Sequence, residues 1–124
     1  MPNKKVFIVE DDSFLQGLIS RKLKAENFDV FIASSATEGM KLIDGGLVPD
    51  LIILDLLLPG MDGFEFLTSI RAKAVLKTTP VIVFSNLSEE KDIKKAKDLG
   101  ITEFMVKANF TLDELSLKIR SVLK

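Results

Sequence analysis

The residues of this 124-residue chain best able to do chemistry stand at the ends of short apolar runs. Glu10-Asp11-Asp12 follows Val6 to Val9, and Asp55 follows Leu51-Ile52-Ile53-Leu54. Ser85 follows Val81-Ile82-Val83-Phe84, and Lys107 follows Phe104-Met105-Val106. Together they offer carboxylates, one hydroxyl and one ammonium. The chain has no Cys and no His, which excludes disulfides, thiolate metal sites and thiol or imidazole nucleophiles. Converging carboxylates repel one another unless they are protonated or bridged by a cation. With neither imidazole nor thiolate to coordinate, the fitting cation is Mg²⁺, which takes oxygen ligands and keeps waters for a phosphate to displace. A lysine nearby can pair with Asp55 when the site is empty and with a phosphoryl oxygen when it is full. A nucleophile, a metal and charge neutralisation are what phosphoryl transfer requires.

Each residue also has a plainer role open to it. Asp12 immediately precedes a helix and reads better as its N-cap than as a ligand. Glu10 and Asp11 could face water beyond a strand, Ser85 could open a loop, and Lys107 could be solvated. Asp55 is harder to place so simply. Between four aliphatics and Leu56-Leu57-Leu58, a carboxylate is costly unless paired or used. The signal is the coincidence at one edge, not any member of it.

That coincidence depends on the elements between. Strands are expected over 5–10, 29–33, 51–55, 81–85 and 103–107. The two runs 51–54 and 81–84 are continuously apolar, as in parallel strands buried on both faces. Leu15, Leu18, Ile19 and Leu23 lie at helical spacing and predict a first helix over 13–26, with Asn27 as a left-handed stop. Ser35 with Glu38 opens a second helix to about residue 44, closed by Gly45-Gly46. Phe66, Leu67 and Ile70 stripe a third over 63–73. Ser88 is the expected cap of a fourth over 89–99, stopped by Gly100. Thr111 with Glu114 opens a fifth that carries Leu112, Leu115, Ile119 and Val122 on one face. Strands alternating with helices imply right-handed crossovers and an α/β sandwich of three layers. Ligands of such sheets bind beyond the carboxyl ends of the strands. Glu10-Asp11-Asp12 stands where a dinucleotide-binding fold would have glycines, and no phosphate-loop motif occurs, so neither function is supported.

Composition sets the outer limits. At 47% hydrophobic and 28% charged, residues 1–124 read as one globular domain, with no room for an output domain. Seventeen basic and eighteen acidic residues give a formal charge of −1, so neither nucleic acid nor anionic lipid is expected as a direct partner. The greasiest stretch, 48–61, is broken by Pro49, Asp50, Asp55 and Pro59, short of the ~18 apolar residues of a spanning helix. The first twelve residues do not read as a secretory signal, which makes the cytoplasm the expected address.

Four segments carry a resemblance: Val9-Glu10-Asp11-Asp12, then Leu54-Asp55-Leu56-Leu57-Leu58-Pro59-Gly60-Met61-Asp62-Gly63, then Phe84-Ser85, then Phe104-Met105-Val106-Lys107. Separations of 44, 30 and 22 residues between Asp11, Asp55, Ser85 and Lys107 complete it. The chain resembles, over nearly its whole length, the receiver domain of two-component response regulators. The resemblance implies a flavodoxin-like (βα)5 fold with strand order 2-1-3-4-5. It implies that Asp55 accepts a phosphoryl group from a sensor histidine kinase or a histidine phosphotransfer protein. Asp11, Asp55 and the Leu57 backbone carbonyl would hold Mg²⁺, with Glu10 acting mainly through a bound water. Ser85 and Lys107 would each contact a phosphoryl oxygen. Phe104 matches the switch aromatic that reshapes the surface of the fourth helix, fifth strand and fifth helix, where a downstream protein or a phosphorylation-dependent dimer partner would dock. Core packing is the plainer role for Phe104. The fourth helix, with only Ile93, Ala96 and Leu99 to bury, is expected to be weakly held. Its lysines read as a solvated face.

Three departures from the family pattern stand out, at four positions. Ala108 stands where a Pro, often preceded by a cis bond, commonly follows the lysine. Asn86 replaces a small residue. Leu57 and Leu87 place apolar groups where the family controls access of hydrolytic water, which would slow self-dephosphorylation. Two alternatives remain open on the residues. One is a Mg²⁺-dependent phosphatase with an Asp nucleophile, although Leu57 stands where such enzymes place a second Asp. The other is a degenerate receiver that only binds a partner.

Overall fold

The computed structural model describes residues 3–124; Met1 and Pro2, the start of the segment considered above as a leader, lie outside the described residues. The apolar runs become five strands and the amphipathic stretches between them five helices. They are β1 (Lys5–Val9), α1 (Ser13–Ala25), β2 (Asp29–Ala33), α2 (Ala36–Asp44), β3 (Leu51–Leu54) and α3 (Gly63–Arg71). There follow β4 (Val81–Ser85), α4 (Glu90–Asp98), β5 (Glu103–Val106) and α5 (Leu112–Val122). Every pairing is parallel and the sheet order is β2-β1-β3-β4-β5.

Because side chains alternate across a strand, the sheet builds two cores. Phe7, Val9, Ile52, Leu54, Val81 and Val83 join Phe66, Leu67, Ile70 and Ala96 beneath α2, α3 and α4. Val6, Ile8, Leu51, Ile53, Ile82, Phe84 and Met105 join Ile19, Leu23, Leu115 and Ile119 beneath α1 and α5. The register sets Val9 beside Ala33 on one side and Leu54 on the other, and Leu54 beside Val83. The carboxyl ends of the central strands therefore reach one rim together.

Most of the expected helix ends are present. Asp12 accepts from the Leu15 N–H at 3.1 Å and caps α1, and Asn27 follows it with φ 69°. Thr111 and Glu114 form a reciprocal capping box on α5. Ser35 caps α2 by accepting from the Glu38 N–H at 3.1 Å. Two expectations fail. Ser88 does not cap α4: Glu89 holds the N-cap position without a side-chain bond, and Glu90 and Asp92 instead meet the positive end of the helix dipole in the first turn. The third helix stops at Arg71, not at residue 73, and a 3₁₀ turn over Ala74–Leu76 follows. Past the stop, the Arg71 guanidinium reaches forward to donate to the Leu76 carbonyl at 2.7 Å. No helix of the described residues is long and apolar enough to cross a membrane.

Candidate functional site

β1, β3 and β5 each end with their apolar runs, one residue short of the expected ranges, so Glu10, Asp55 and Lys107 are the first residues beyond their strands. They leave the strand ends with their backbones still tied in. The Glu10 N–H donates to the Ala33 carbonyl at 3.1 Å and the Asp55 N–H to the Val9 carbonyl at 3.0 Å. Ser85 is the last residue of β4 and is fully buried.

Asp55 is 4% exposed, and both carboxylate oxygens are engaged. Oδ1 accepts from Ser85 Oγ at 2.7 Å and from the Leu57 N–H at 3.0 Å. Oδ2 accepts from Lys107 Nζ at 2.8 Å. The same ammonium reaches Glu10 Oε1 at 2.7 Å, bridging two buried acids. Glu10 Oε2 accepts from the Asp12 N–H at 3.1 Å. Burial is the largest influence on Glu10 and holds its carboxyl above the usual range, with the Asp55 charge adding to it and the Lys107 and Asp12 bonds opposing it. For Lys107, burial acts first and against the charge. The bonds to Asp55 and Glu10 outweigh it and keep the ammonium above the ordinary lysine value.

Asp11 completes the group from the exposed side. One carboxylate oxygen from each of Glu10, Asp11 and Asp55 lies within 4.8 Å of the others. Three carboxylates against one ammonium leave two negative charges uncompensated, and every donor is oxygen. That set suits a hard divalent cation. The sequence thus names five side chains that the fold brings together: Glu10, Asp11, Asp55, Ser85 and Lys107. Leu57 contributes its N–H to Asp55, while its side chain is 52% exposed beside the site.

Phe104 lies apart from this group. It is half-buried on β5, packs against the α3–α4 core, and lines a cleft of about 450 Å³ with Ile93, Lys97, Ile101 and Val106. Among the described residues no peptide bond is cis, so the Lys107–Ala108 bond is trans. A 3₁₀ turn over Lys107–Asn109 carries the chain away from β5.

Two supporting residues are less evident in sequence. A Cβ on Gly63 would stand 2.4 Å from Leu56 Cα and 2.8 Å from the Asp55 carbonyl oxygen, so α3 can start against the β3 end only with glycine there. Gln16, buried on α1, donates to the Glu10 carbonyl and to Ser34 Oγ. Gly63 belongs to the Pro-Gly-Met-Asp-Gly turn visible in sequence. No pattern marks Gln16.

A five-stranded parallel sheet of this order, with acids at the ends of β1 and β3, defines a flavodoxin-like α/β fold. The family described as "Response regulator receiver domain" matches residues 6–120, and the chain belongs to it, as a receiver domain of two-component signalling. Response regulator ArlR of Staphylococcus saprophyticus is 35% identical over 120 residues, covering 97% of this chain and 52% of its own length. The alkaline phosphatase synthesis regulator PhoP of Bacillus subtilis is 30% identical over 122 residues, covering 98% of this chain and 49% of its own. The chain spans about half the length of these curated relatives. Chemotaxis protein CheY4 of Vibrio cholerae superposes with a TM-score of 0.89 at 26% identity, over 97% of this chain and 98% of its own. The phosphorylated cyanobacterial phytochrome response regulator RcpA gives 0.82 at 31% identity, over 97% of this chain and 91% of its own.

Proposed function

We propose that residues 1–124 form one phosphoacceptor receiver domain, in which Asp55 takes a phosphoryl group from the phosphohistidine of a sensor histidine kinase or histidine phosphotransfer protein. The observation that carries this reading is the setting of Asp55. It is buried, held by a hydroxyl, an N–H and an ammonium, and close enough to Glu10 and Asp11 for three acids to share a cation. Glu10, Asp11, Asp55 and the Leu57 carbonyl are the groups that would hold Mg²⁺. Neutralising the charge on the phosphoryl oxygens is the chemistry a bound magnesium ion supplies.

An Asp55 oxygen attacks phosphorus, the P–N bond breaks, and its electron pair returns to the donor imidazole, which takes up a proton. Lys107 and Ser85 then each exchange an Asp55 oxygen for a phosphoryl oxygen, because forming the acyl phosphate removes the carboxylate charge and places negative charge on the phosphoryl oxygens. The Leu87 N–H donates to Ser85 Oγ at 3.3 Å, so displacement of that hydroxyl pulls on the segment leading into α4. Phe104 at the α4–β5 cleft is the switch residue on this reading. The face of α4, β5 and α5 is where a downstream protein or a second phosphorylated copy docks. Phe14, Leu57 and Phe110, exposed on the same rim as Asp55, give the donor protein an apolar landing. The chemistry needs neither nucleic acid nor membrane, and we assign it to the cytoplasm, with its kinase.

Magnesium and acetyl phosphate test this directly. Intact-mass measurement is expected to find one phosphate per chain, absent in Asp55→Asn. No label, or rapid turnover of many phosphomonoesters as by a phosphatase, overturns the reading.

A further inference from the structure

Glu10 and Asp11 share a loop, yet they are held very differently. The Glu10 carboxylate is fixed by Lys107 and the Asp12 N–H. The Asp11 carboxylate has no hydrogen bond or ion pair among the described residues and is exposed. What aims Asp11 toward Glu10 and Asp55 must therefore act through the backbone. The peptide joining Glu10 to Asp11 is planar, so fixing the direction of the Glu10 carbonyl fixes the plane in which Asp11 departs. That carbonyl lies beyond the last residue of β1, where the ladder to β2 is ending. It accepts its hydrogen bond from Gln16 Nε2.

The Gln16 amide is well placed for this task. The residue is buried one turn into α1, and its own N–H donates to the Asp12 carbonyl at 2.9 Å as part of the helix. A primary amide carries two N–H donors. One goes to the Glu10 carbonyl and the other to Ser34 Oγ at 3.1 Å, beyond the end of β2. The amide thus ties the β1–α1 loop to the β2–α2 loop, and it touches none of the groups that would react. We infer that Gln16 is a positioning residue for the cation site: its amide orients the Glu10–Asp11 peptide so that the Asp11 carboxylate converges with those of Glu10 and Asp55. The inference rests on the receiver reading and deepens it. Groups that orient ligands commonly change metal affinity by about 10–100-fold when lost.

Gln16→Met keeps the volume and removes both donors. By calorimetry, its Mg²⁺ dissociation constant is expected to rise about 10-fold. Ser34→Ala, which frees the far hydrogen of the amide, should shift the constant in the same direction by less. At saturating Mg²⁺, phosphorylation of Gln16→Met by acetyl phosphate should return to the wild-type maximal rate, because only ligand placement has changed. Ile19→Val, a packing change one turn along the same helix, serves as the control and should leave the constant unchanged. In magnesium-free protein, the Glu10 carbonyl ¹³C resonance should move in Gln16→Met and stay in place in the control. Wild-type affinity in Gln16→Met, or a maximal rate that stays depressed at saturation, overturns the assignment alone. A wild-type protein that takes up no magnesium overturns the receiver reading and this assignment with it.

Discussion

Lys107→Met isolates the ammonium that joins two buried acids. Nζ lies 2.7 Å from Glu10 and 2.8 Å from Asp55, whose side chains are 4% and 5% exposed. Methionine keeps the length and loses the charge. Asp55 retains the Ser85 hydroxyl and the Leu57 N–H, whereas Glu10 keeps only the Asp12 N–H. Removing one partner of a buried ion pair costs about 3–5 kcal/mol because a charge is stranded. Partial relief by water and by protonation of Glu10 favours the lower end, about 3 kcal/mol. For a domain of this size that is a fall in Tm of roughly 12 °C, at about 4 °C per kcal/mol. The pH dependence has a definite sign. Burial raises the Glu10 carboxyl above its ordinary value of 4.5, so its contribution is complete below 4.5 and lost as pH rises through the folded value. Without the ammonium that folded value climbs further. The stability gap between wild type and Lys107→Met should therefore narrow as pH falls from 7 toward 4.5. Magnesium should reverse the order differently: with one positive charge gone, it binds the variant more tightly and recovers stability by RT ln(1 + [Mg²⁺]/Kd). Urea titration in chelator, then in magnesium, at pH 7 and pH 5 measures each term. Equal stability of the two proteins in chelator at pH 7 would refute the argument.

Gly63→Ala forces a Cβ to 2.4 Å from Leu56 Cα; a loss of about 1–3 kcal/mol and slower labelling of Asp55 are expected in denaturation and mass measurements. Arg71→Met removes donation to the Leu76 and Gly100 carbonyls, both at 2.7 Å. About 2 kcal/mol should be lost, with increased hydrogen exchange around Gly100 as the local readout. Leu57→Asn and Leu87→Glu should each shorten the lifetime of phosphorylated Asp55, followed by loss of the phosphoryl mass; unchanged or longer lifetimes count against apolar shielding. Phe64→Leu removes the ring lying 4.3 Å from Lys95 Nζ and should loosen α4 by about 0.5–1 kcal/mol, seen as faster exchange of α4 amides.

How much of this was legible in sequence depends on the range of each interaction. The strands announce themselves as short continuous apolar runs and the helices through a period of 3.6, which are local, and capping at Asp12, Ser35 and Thr111 is local too. The site was legible because parallel strands bring their carboxyl ends to one rim, so Glu10, Asp55, Ser85 and Lys107 could be placed without knowing any side-chain contact. What escaped is side chains that reach across the fold. Gln16 meets Ser34 eighteen positions away, and Arg71 meets Gly100 twenty-nine away; neither lies in a pattern. Ser88 failed as a cap because a serine before a helix is only one way to satisfy its first turn, and acidic residues supply another.

The two faces of the sheet are held by unlike means, and on the proposed reading this bears on where a change at Asp55 travels. On one face Lys22 pairs with Asp113 and Glu26, while Glu26 also meets Ser116 and Arg120, joining α1 to α5 above a core of Ile19, Leu23, Leu115 and Ile119. Exposed pairs add little individually; the buried aliphatics beneath them are the main anchor. On the other face α4 buries only Ala96 completely. Leu99 at its end packs partly buried against the same core, and Lys95 over Phe64 and the Arg71 bond to Gly100 just past its end are further ties. The cation–π contact is worth about 0.5–1 kcal/mol and the charged hydrogen bond about 1.5–3 kcal/mol, comparable to exchanging one charged hydrogen bond at Ser85 or Lys107. On the phosphoacceptor reading proposed above, a redistribution of bonds in the site is comparable to the ties that hold α4 and small beside the aliphatic core that joins α1 to α5. The chain from Ser85 through Leu87 leads into α4, so on the proposed reading the helix entered from the Ser85 hydroxyl is also one that buries little of itself.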